Sequence, residues 1–292
     1  MNTALISICI PTYNGGAFLD ETLDSIFHQT YKNIEIVFSD DNSKDNTLDI
    51  IENFKARANF PVHVEHHKPN GIGSNWNNTI HFANGEFIKF LFQDDILEPT
   101  CIEKMVEVMN SQPSLGFVAT KRSFIIEGTS TPEIEMWIRT YGNLQSQFEK
   151  QEKLTLLNKD LFKRSDFFSD PRNKIGEPPT VLFRKSIINE VGYFDENLEQ
   201  ILDYVFYYRI LKKFPIAIIN QPLVKFRIHP AQASHVNRSR KIPDYEEYDR
   251  ILYTEFLPLL HKRQRNRLRK VFNKPFTFRR LMINNIKRIL GK

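Results

Sequence analysis

Cysteines and long apolar runs are scarce in this sequence. The 292 residues include two cysteines, Cys9 and Cys101, so no framework of disulfides can form, and the low count is typical of a reducing compartment. We expect both thiols to be buried as small apolar side chains. No apolar stretch approaches the ~20 residues of a membrane-spanning helix, and the first residues lack the basic start of a signal peptide. These absences predict a cytoplasmic protein.

Two familiar glycine-rich nucleotide loops are missing as well. Gly15 and Gly16 do not fit the pattern G-x-G-x-x-G, and the pair Gly71 and Gly73 lacks both the third glycine and a strand-turn-helix setting. No P-loop motif, internal repeat or low-complexity segment occurs in the sequence. The sequence therefore gives no support to a dinucleotide site or a P-loop site.

Three short β-forming segments lie within the first 95 residues, and each ends in a polar loop. Runs of apolar and aromatic residues bounded by turn residues are typical of buried strands. In open α/β sheets, ligands bind outside the carboxyl ends of the strands, so the pattern predicts a ligand site at one rim of a sheet. The three loops begin with Pro11-Thr12-Tyr13-Asn14, Ser39-Asp40-Asp41 and Gln93-Asp94-Asp95.

The adjacent carboxylates Asp94 and Asp95 suit a hard divalent cation. Mg²⁺ and Mn²⁺ prefer oxygen ligands and leave coordination positions for substrate phosphates. Because the pair follows an apolar run directly, we expect Asp95 at a strand end and outside the core. The alternative is that both acids only open a loop or cap the helix predicted near Pro99.

Charge is unevenly distributed along the chain. Residues 236–292 contain 16 Lys and Arg against five Asp and Glu, whereas residues 1–235 contain more acids than bases. Basic amphipathic helices are predicted here, with an apolar face over 278–290, and such helices bind anionic membrane surfaces. The alternative is a helical hairpin packed on the domain. We expect no nucleic-acid partner, since no aromatic stacking platform accompanies the charges.

The motifs, taken in order, resemble those of glycosyltransferase family 2, whose members have the GT-A fold. The resemblance covers about residues 4–235 and rests on many short motifs in register. Its motifs are Pro11-Thr12-Tyr13-Asn14, Gln29-Thr30-Tyr31, Asp40-Asp41-Asn42-Ser43, Asn70-Gly71, Gly85-Glu86-Phe87, Asp94-Asp95, Gly192-Tyr193-Phe194-Asp195-Glu196, Asp203 with Arg209, and Arg227-Ile228-His229 with Gln232 and Ser234.

This resemblance implies an α/β protein of the GT-A fold, with a mostly parallel, Rossmann-like central sheet flanked by helices and a helical C-terminal appendage. Residues 1–235 would form the catalytic domain, with 1–98 as the nucleotide-sugar half and 99–235 as the acceptor half. The basic region 236–292 would follow as a separate part.

The implied activity is metal-dependent, inverting transfer of a sugar from a nucleotide diphosphate donor, expected to be a UDP-sugar, to an acceptor hydroxyl. Together with the basic tail, it suggests a lipid-linked or envelope saccharide acceptor in polysaccharide biosynthesis, at the inner face of the cell membrane. One alternative is a sugar nucleotidyltransferase of similar fold, although Asn14-Gly15-Gly16-Ala17 lacks the basic Gly-rich signature of that class. The other is a non-catalytic sugar-nucleotide-binding module recruited to membranes.

Matching the motifs one by one assigns donor-binding roles. Asp94 would face the ribose, Asp95 would bind Mn²⁺ or Mg²⁺, and His229 would contact the metal or the diphosphate unless it is only a loop histidine. Tyr13 would stack on the base. The residues matched to the base and ribose are Pro11, Thr12, Tyr13, Asn14 and Asp41.

The general base is assigned to Asp203, which precedes Arg209 by six residues, as in the Glu-Asp motif of the family. Leu202 stands where the family has Glu, so half of that motif is missing. Glu199 is the alternative base, and a helix N-cap is the alternative role of Asp203.

Three histidines, His63, His66 and His67, lie close together without forming an expected metal cluster. They lie on an alternating β-segment, in which His63 and His67 face away from His66. We therefore expect a strand edge at this position.

Overall fold

The computed structural model describes residues 3–148, 152–167, 169–232, 237 and 242–273. A mixed sheet of nine strands forms the centre of this part of the chain, in the order β3-β2-β1-β4-β8-β6-β9-β5, with β7 paired to β9. The strands are β1 (Ile6–Thr12), β2 (Ile34–Asp40), β3 (Val62–His66), β4 (Phe87–Phe90), β5 (Ile96–Leu97), β6 (Phe117–Ile126), β7 (Leu154–Leu157), β8 (Val181–Arg184) and β9 (Ile216–Ile228).

Most of these strands run in the same direction. β3, β2, β1 and β4 are parallel neighbours, β8 is antiparallel to both β4 and β6, and β6 is parallel to β9. β5 and β7 are antiparallel to β9. The carboxyl ends of β1, β2, β4, β6 and β9 therefore meet at one rim, which places the loops of the sequence motifs together.

Helices cover both faces of the sheet. On β1, Ile6, Ile8 and Ile10 pack in one apolar core with α1, α2 and α4, whereas Cys9 faces a second core that contains α3 and α7. Because β1 is buried on both faces, its sequence is a nearly continuous apolar run. The helices are α1 (Leu19–Phe27), α2 (Thr47–Arg57), α3 (Ile72–Phe82), α4 (Cys101–Ser111), α5 (Pro132–Tyr141), α6 (Ile188–Val191), α7 (Leu202–Lys213), α8 (Asp244–Ile251) and α9 (Lys262–Phe272).

The expected α/β architecture is confirmed, and both cysteines are buried as expected. Within the described residues, no helix is both long and apolar enough to cross a bilayer. The apolar face predicted over 278–290 lies outside the described residues.

The described part of the C-terminal region packs against α7. Tyr248 of α8 meets Tyr204 of α7 edge to face, with ring centroids 5.4 Å apart, and Arg209 donates to both carboxylate oxygens of Glu255 at 2.9 and 2.7 Å. The buried Asp244 accepts the backbone N–H groups of residues 199, 200 and 201 through Oδ2, at 3.0, 2.6 and 3.1 Å. Residues 244–256 thus contact α7 and the segment that precedes it. The division of the chain into two domains at residue 235 stays a prediction.

Candidate active site

The loops after β1 and β2 are joined by hydrogen bonds. Thr12 is buried, and its hydroxyl donates to Asp40 Oδ1 at 2.9 Å. Asn14, which has a left-handed φ of 48°, donates its backbone N–H to Ser43 Oγ and accepts the N–H of Lys44 on its side chain, at 2.9 and 2.8 Å. Thr12 and Asn14 therefore hold the two loops together, and their predicted contact with a nucleotide remains a prediction.

Tyr13 lies between these two residues with its side chain outward. It is 56% exposed, while its backbone N–H and C=O are both held by the amide of Gln93, at 2.9 and 3.1 Å. Pro11 is buried at the end of β1. An exposed ring on a fixed backbone is suited to stacking on a nucleotide base, as predicted for Tyr13.

Asp41 pairs with a histidine that sequence reasoning left without a role. The chain turns after β3, and His67 Nδ1 comes within 2.5 Å of Asp41 Oδ1, while its Nε2 lies 3.3 Å from Ser74 Oγ. Burial raises the pKa of Asp41, and His67 opposes that shift. His63 instead approaches Glu35 at 3.5 Å, so the three neighbouring histidines take separate positions. No group of three or more metal-ligating side chains occurs among the described residues.

Asp94 faces the end of β9. Its Oδ2 lies 3.0 Å from His229 Nε2, although the two residues are 135 positions apart, and its backbone oxygen accepts a bond from Arg227 Nε at 2.8 Å. The His229 ring also packs on Phe18, with a centroid distance of 4.8 Å. The structure thus brings together two of the predicted site residues that lie far apart in the sequence.

Asp95 is buried, so the expectation that it would lie outside the core is wrong. The residue is 1% exposed, and its Oδ1 accepts the backbone N–H of Arg227, a residue of β9, at 3.0 Å. Its Oδ2 has no hydrogen-bond partner in the described part of the chain. Burial, and next the charge of Asp94, raise the pKa of Asp95 well above its ordinary value.

Arg227 holds this corner of the site together. Its guanidinium is buried and forms ion pairs with Glu21 of α1, at 2.5 Å, and with Glu127 at the end of β6. It also lies over the ring of Phe18, 4.7 Å from the centroid. One side chain therefore links α1 and the ends of β4, β6 and β9.

Asp203 lies in the first turn of α7 and is 8% exposed. Its Oδ2 accepts a bond from Asn173 Nδ2 at 3.1 Å, and its Oδ1 has no partner among the described residues. The N-cap of α7 is Ile201, so the alternative role of Asp203 as an N-cap is wrong. Burial raises the pKa of Asp203 to about 8, with a further contribution from Glu177. Glu199, the alternative base, is exposed.

An ion pair between Arg122 and Glu177 lies near both Asp95 and Asp203. Arg122 is a buried residue of β6, and it also donates to the backbone oxygen of Tyr141 at 2.8 Å. The charges of this pair act on both Asp95 and Asp203. Asp95, which follows β4, and Asp203 on α7 therefore both lie within the electrostatic reach of one ion pair.

Lys89 is a functional candidate that sequence reasoning missed. It is fully buried in β4, and its Nζ donates to the backbone oxygens of Phe90, at 2.9 Å, and Pro179. Burial lowers its pKa to about 8, while the charge of Asp95 opposes this shift. Lys89 and Arg122 are both cations within apolar strands. This unusual position in the sequence is the feature that could have identified them as functional candidates.

These residues fit a divalent cation. Asp94 Oδ2 and His229 Nε2 point at each other, and the buried Asp95 Oδ2 still lacks a partner in the described part. Two or three protein ligands suit Mg²⁺ or Mn²⁺ in sites where substrate phosphates supply further oxygens. A bound cation would favour the ionised form of Asp95 and so oppose the effects of burial and of Asp94 on its pKa.

Solved structures share this fold. TarS of S. aureus in complex with UDP-GlcNAc has a TM-score of 0.66 and 21% sequence identity, over 92% of this chain and 74% of that chain. The mannosyltransferase PcManGT of Pyrobaculum calidifontis, in complex with GDP-Man and Mn²⁺, has a TM-score of 0.52 and 14% identity, over 97% and 80% of the two chains. The expected GT-A fold is confirmed.

Sequence comparison identifies relatives of the same kind. An uncharacterized glycosyltransferase of Rickettsia felis is 30% identical over 285 residues, which are 94% of this chain and 41% of the relative. One of Rickettsia typhi is 28% identical over 261 residues, 89% of this chain and 74% of the relative. The chain thus spans less than half the length of the first of these proteins. The model of glycosyl transferase family 2 matches residues 7–192, well over half of the sequence, and the chain belongs to this family.

Proposed function

We propose that this protein transfers one sugar from a UDP-sugar to an acceptor hydroxyl, with inversion at the anomeric carbon. The observation that carries the proposal is that Asp95 and Asp203 are both buried near the Arg122–Glu177 pair, and that each has an oxygen without a partner among the described residues. It supports a cation and diphosphate site close to a buried carboxylate that can accept a proton. The fold of TarS, which binds UDP-GlcNAc, supports the choice of donor.

Donor binding uses the rim formed by the β1 and β2 loops. The exposed ring of Tyr13 stacks on the base, and Asp41, held by His67, accepts a hydrogen bond from the nucleoside. Because Thr12 and Asn14 already fix both loops, little conformational entropy remains to be lost when the nucleotide binds.

Asp94 and His229 would hold the cation, with the buried Asp95 next to Asp94 in the chain. This differs from the assignment by resemblance, which gave Asp94 to the ribose, because Asp94 Oδ2 faces His229 whereas Asp95 is buried. When bound, Mn²⁺ or Mg²⁺ supplies Lewis-acid stabilisation of the charge on the leaving diphosphate.

Asp203 acts as the general base. The acceptor oxygen forms a bond to the anomeric carbon while the bond from that carbon to the diphosphate oxygen breaks, and the electron pair leaves with the nucleoside diphosphate. The acceptor proton moves to Oδ1 of Asp203, the oxygen without a partner in the described residues, and then to water. A single displacement inverts the anomeric carbon, and a positioned base contributes roughly 10²–10⁴ to the rate.

The loop after β1 argues against a sugar nucleotidyltransferase. A phosphate-cradling loop needs backbone N–H groups that are available to the phosphates. Here, the N–H groups of residues 14, 15 and 16 donate to the side chains of Ser43, Thr47 and Asp45, at 2.9, 2.8 and 2.9 Å. These donors are occupied by the neighbouring loop.

The acceptor is proposed to be a lipid-linked or envelope saccharide of polysaccharide biosynthesis, which the protein binds at an anionic membrane surface. The support is the basic C-terminal region, of which α9 carries Lys262, Arg263 and Arg265 in its first turns. Each basic residue near an anionic surface contributes about 1 kcal/mol to binding.

Calorimetry of UDP binding, with Mn²⁺ or with EDTA, tests the metal assignment. Mn²⁺ should tighten binding to the wild type, and Asp94→Asn should lose most of this gain, whereas Asp20→Asn on the exposed side of α1 should keep it. A loss in Asp95→Asn with none in Asp94→Asn would return the ligand role to Asp95. A wild type that neither binds UDP nor hydrolyses or transfers from any UDP-sugar would overturn the proposed function itself.

A further inference from the structure

A pocket of about 440 Å³ lies between α5 and the end of β9. Its apolar wall is formed by Ile134 and Trp137 of α5 together with Ile228 and Pro230. The volume is within the range of small-molecule sites, roughly 300–1,000 Å³. No residue of α5 is buried. The helix therefore lies at the surface, where it forms one wall of the pocket, and does not belong to the core.

The pocket adjoins the candidate active site through shared residues. His229, whose Nε2 lies 3.0 Å from Asp94 Oδ2, is part of its wall, and so is Glu127, which pairs with Arg227. A molecule in the pocket would therefore lie beside the position where the donor diphosphate is held. Neither Tyr13 nor Asp41 of the nucleotide rim lines it.

Trp137 is fixed in position by other rings. It stacks on Phe226, with a centroid distance of 6.0 Å and an interplanar angle of 14°, and meets Phe124 edge to face at 5.9 Å. A fixed aromatic wall suits the apolar C–H face of a sugar ring, because little side-chain entropy is lost on contact. Thr129, Thr131 and Gln232 supply polar groups for hydroxyls.

The charges of the wall favour an uncharged occupant over an anionic one. Glu127 and Glu133 line the pocket, and no lysine or arginine does so among the described residues. Glu127 is paired with Arg227, so the like charge that a phosphate or carboxylate would meet here comes mainly from Glu133.

We propose that this pocket binds an uncharged sugar residue of the acceptor, stacked on Trp137. The inference rests on the proposed glycosyl transfer and adds the class of acceptor: an acceptor that contains a neutral glycosyl residue, with any phosphate or lipid part outside the pocket.

Kinetics with soluble aryl glycosides test the stacking contact. Trp137→Ala should raise the acceptor KM roughly tenfold or more and leave the donor KM unchanged, and Trp137→Phe should recover most of the loss. Met136→Ala is the matched control, since Met136 is 57% exposed on the same helix and does not line the pocket. Equal acceptor KM values for wild type and Trp137→Ala would overturn the proposal.

A charge reversal tests the class of acceptor without disturbing the core. Wild type should prefer neutral glycosides to uronic acid glycosides, and Glu133→Lys should reduce this preference, whereas Glu135→Lys, one position outside the lining, should not. A wild-type preference for the uronic acid glycosides would overturn the neutral assignment. If donor hydrolysis persists while these acceptor effects are missing, only this inference fails. If UDP-sugars are not turned over at all, the proposed function fails.

Discussion

The two acidic sides of the site differ in how their carboxylates are satisfied. Asp40, on the nucleotide side, is buried and fully bonded: its Oδ1 accepts the hydroxyls of Thr12 and Ser43, and its Oδ2 accepts the N–H of Ser43 at 2.8 Å. Asp95 and Asp203, on the catalytic side, are also buried, but each has an oxygen without a partner in the described part of the chain.

This difference separates residues that build the site from residues that act in it. A satisfied buried carboxylate stabilises the loops around it, whereas an unsatisfied one costs free energy and raises its own pKa. Such groups persist where a ligand completes them. Several motif residues of the first two loops therefore stabilise the scaffold, and we propose that the chemistry is concentrated at Asp94, Asp95 and Asp203.

The largest effect is expected from Asp203→Asn. Turnover should fall by roughly 10²–10⁴, the contribution of a general base, while UDP affinity and the thermal unfolding midpoint stay near those of the wild type. Steady-state kinetics with calorimetry measure both. Glu199→Gln is the control, because Glu199 is exposed. Full activity of Asp203→Asn together with loss in Glu199→Gln would move the base to Glu199.

A stability effect is expected on the other side of the comparison. Asp40→Ala removes three hydrogen bonds and leaves buried donors unpaired, so the free energy of unfolding should fall by about 2–4 kcal/mol. Chemical denaturation measures it, with the exposed Glu52→Ala on α2 as a control expected to change stability by less than about 0.5 kcal/mol. An unchanged midpoint in Asp40→Ala would show that the loops do not depend on this network.

A smaller and graded effect is expected from pH. The base must be ionised, and the pKa of Asp203 is raised to about 8, so kcat/KM should rise by about tenfold per pH unit below that value and level off above it. A carboxyl group with its ordinary pKa would instead give a flat profile at neutral pH. Burial also lowers the pKa of Lys89 to about 8. The pH profile of the residual activity of Asp203→Asn distinguishes Asp203 from Lys89 as the group that titrates. If kcat/KM of this variant still rises with pH, the rising part of the profile would be assigned to Lys89.

Much of the architecture could be predicted from local sequence patterns. Apolar runs that end in polar loops marked β1, β2 and β4, and the rule that ligands lie at the carboxyl ends of parallel strands placed the acids of these loops at one rim. The order of the family motifs added Asp203 and His229. These features depend on side-chain periodicity and chain order, which a sequence contains by itself.

The contacts within the site were decided only by the tertiary structure. Which of the adjacent Asp94 and Asp95 is buried depends on a backbone N–H of Arg227, more than 130 residues away in the chain. Arg122 pairs with Glu177, and Asp244 accepts backbone N–H groups just before α7. Both contacts join segments whose sequences share no pattern. Periodicity specifies which face of a strand is apolar, but the packing of distant strands and helices specifies which polar atoms meet, and that packing determines the pKa values on which the chemistry depends.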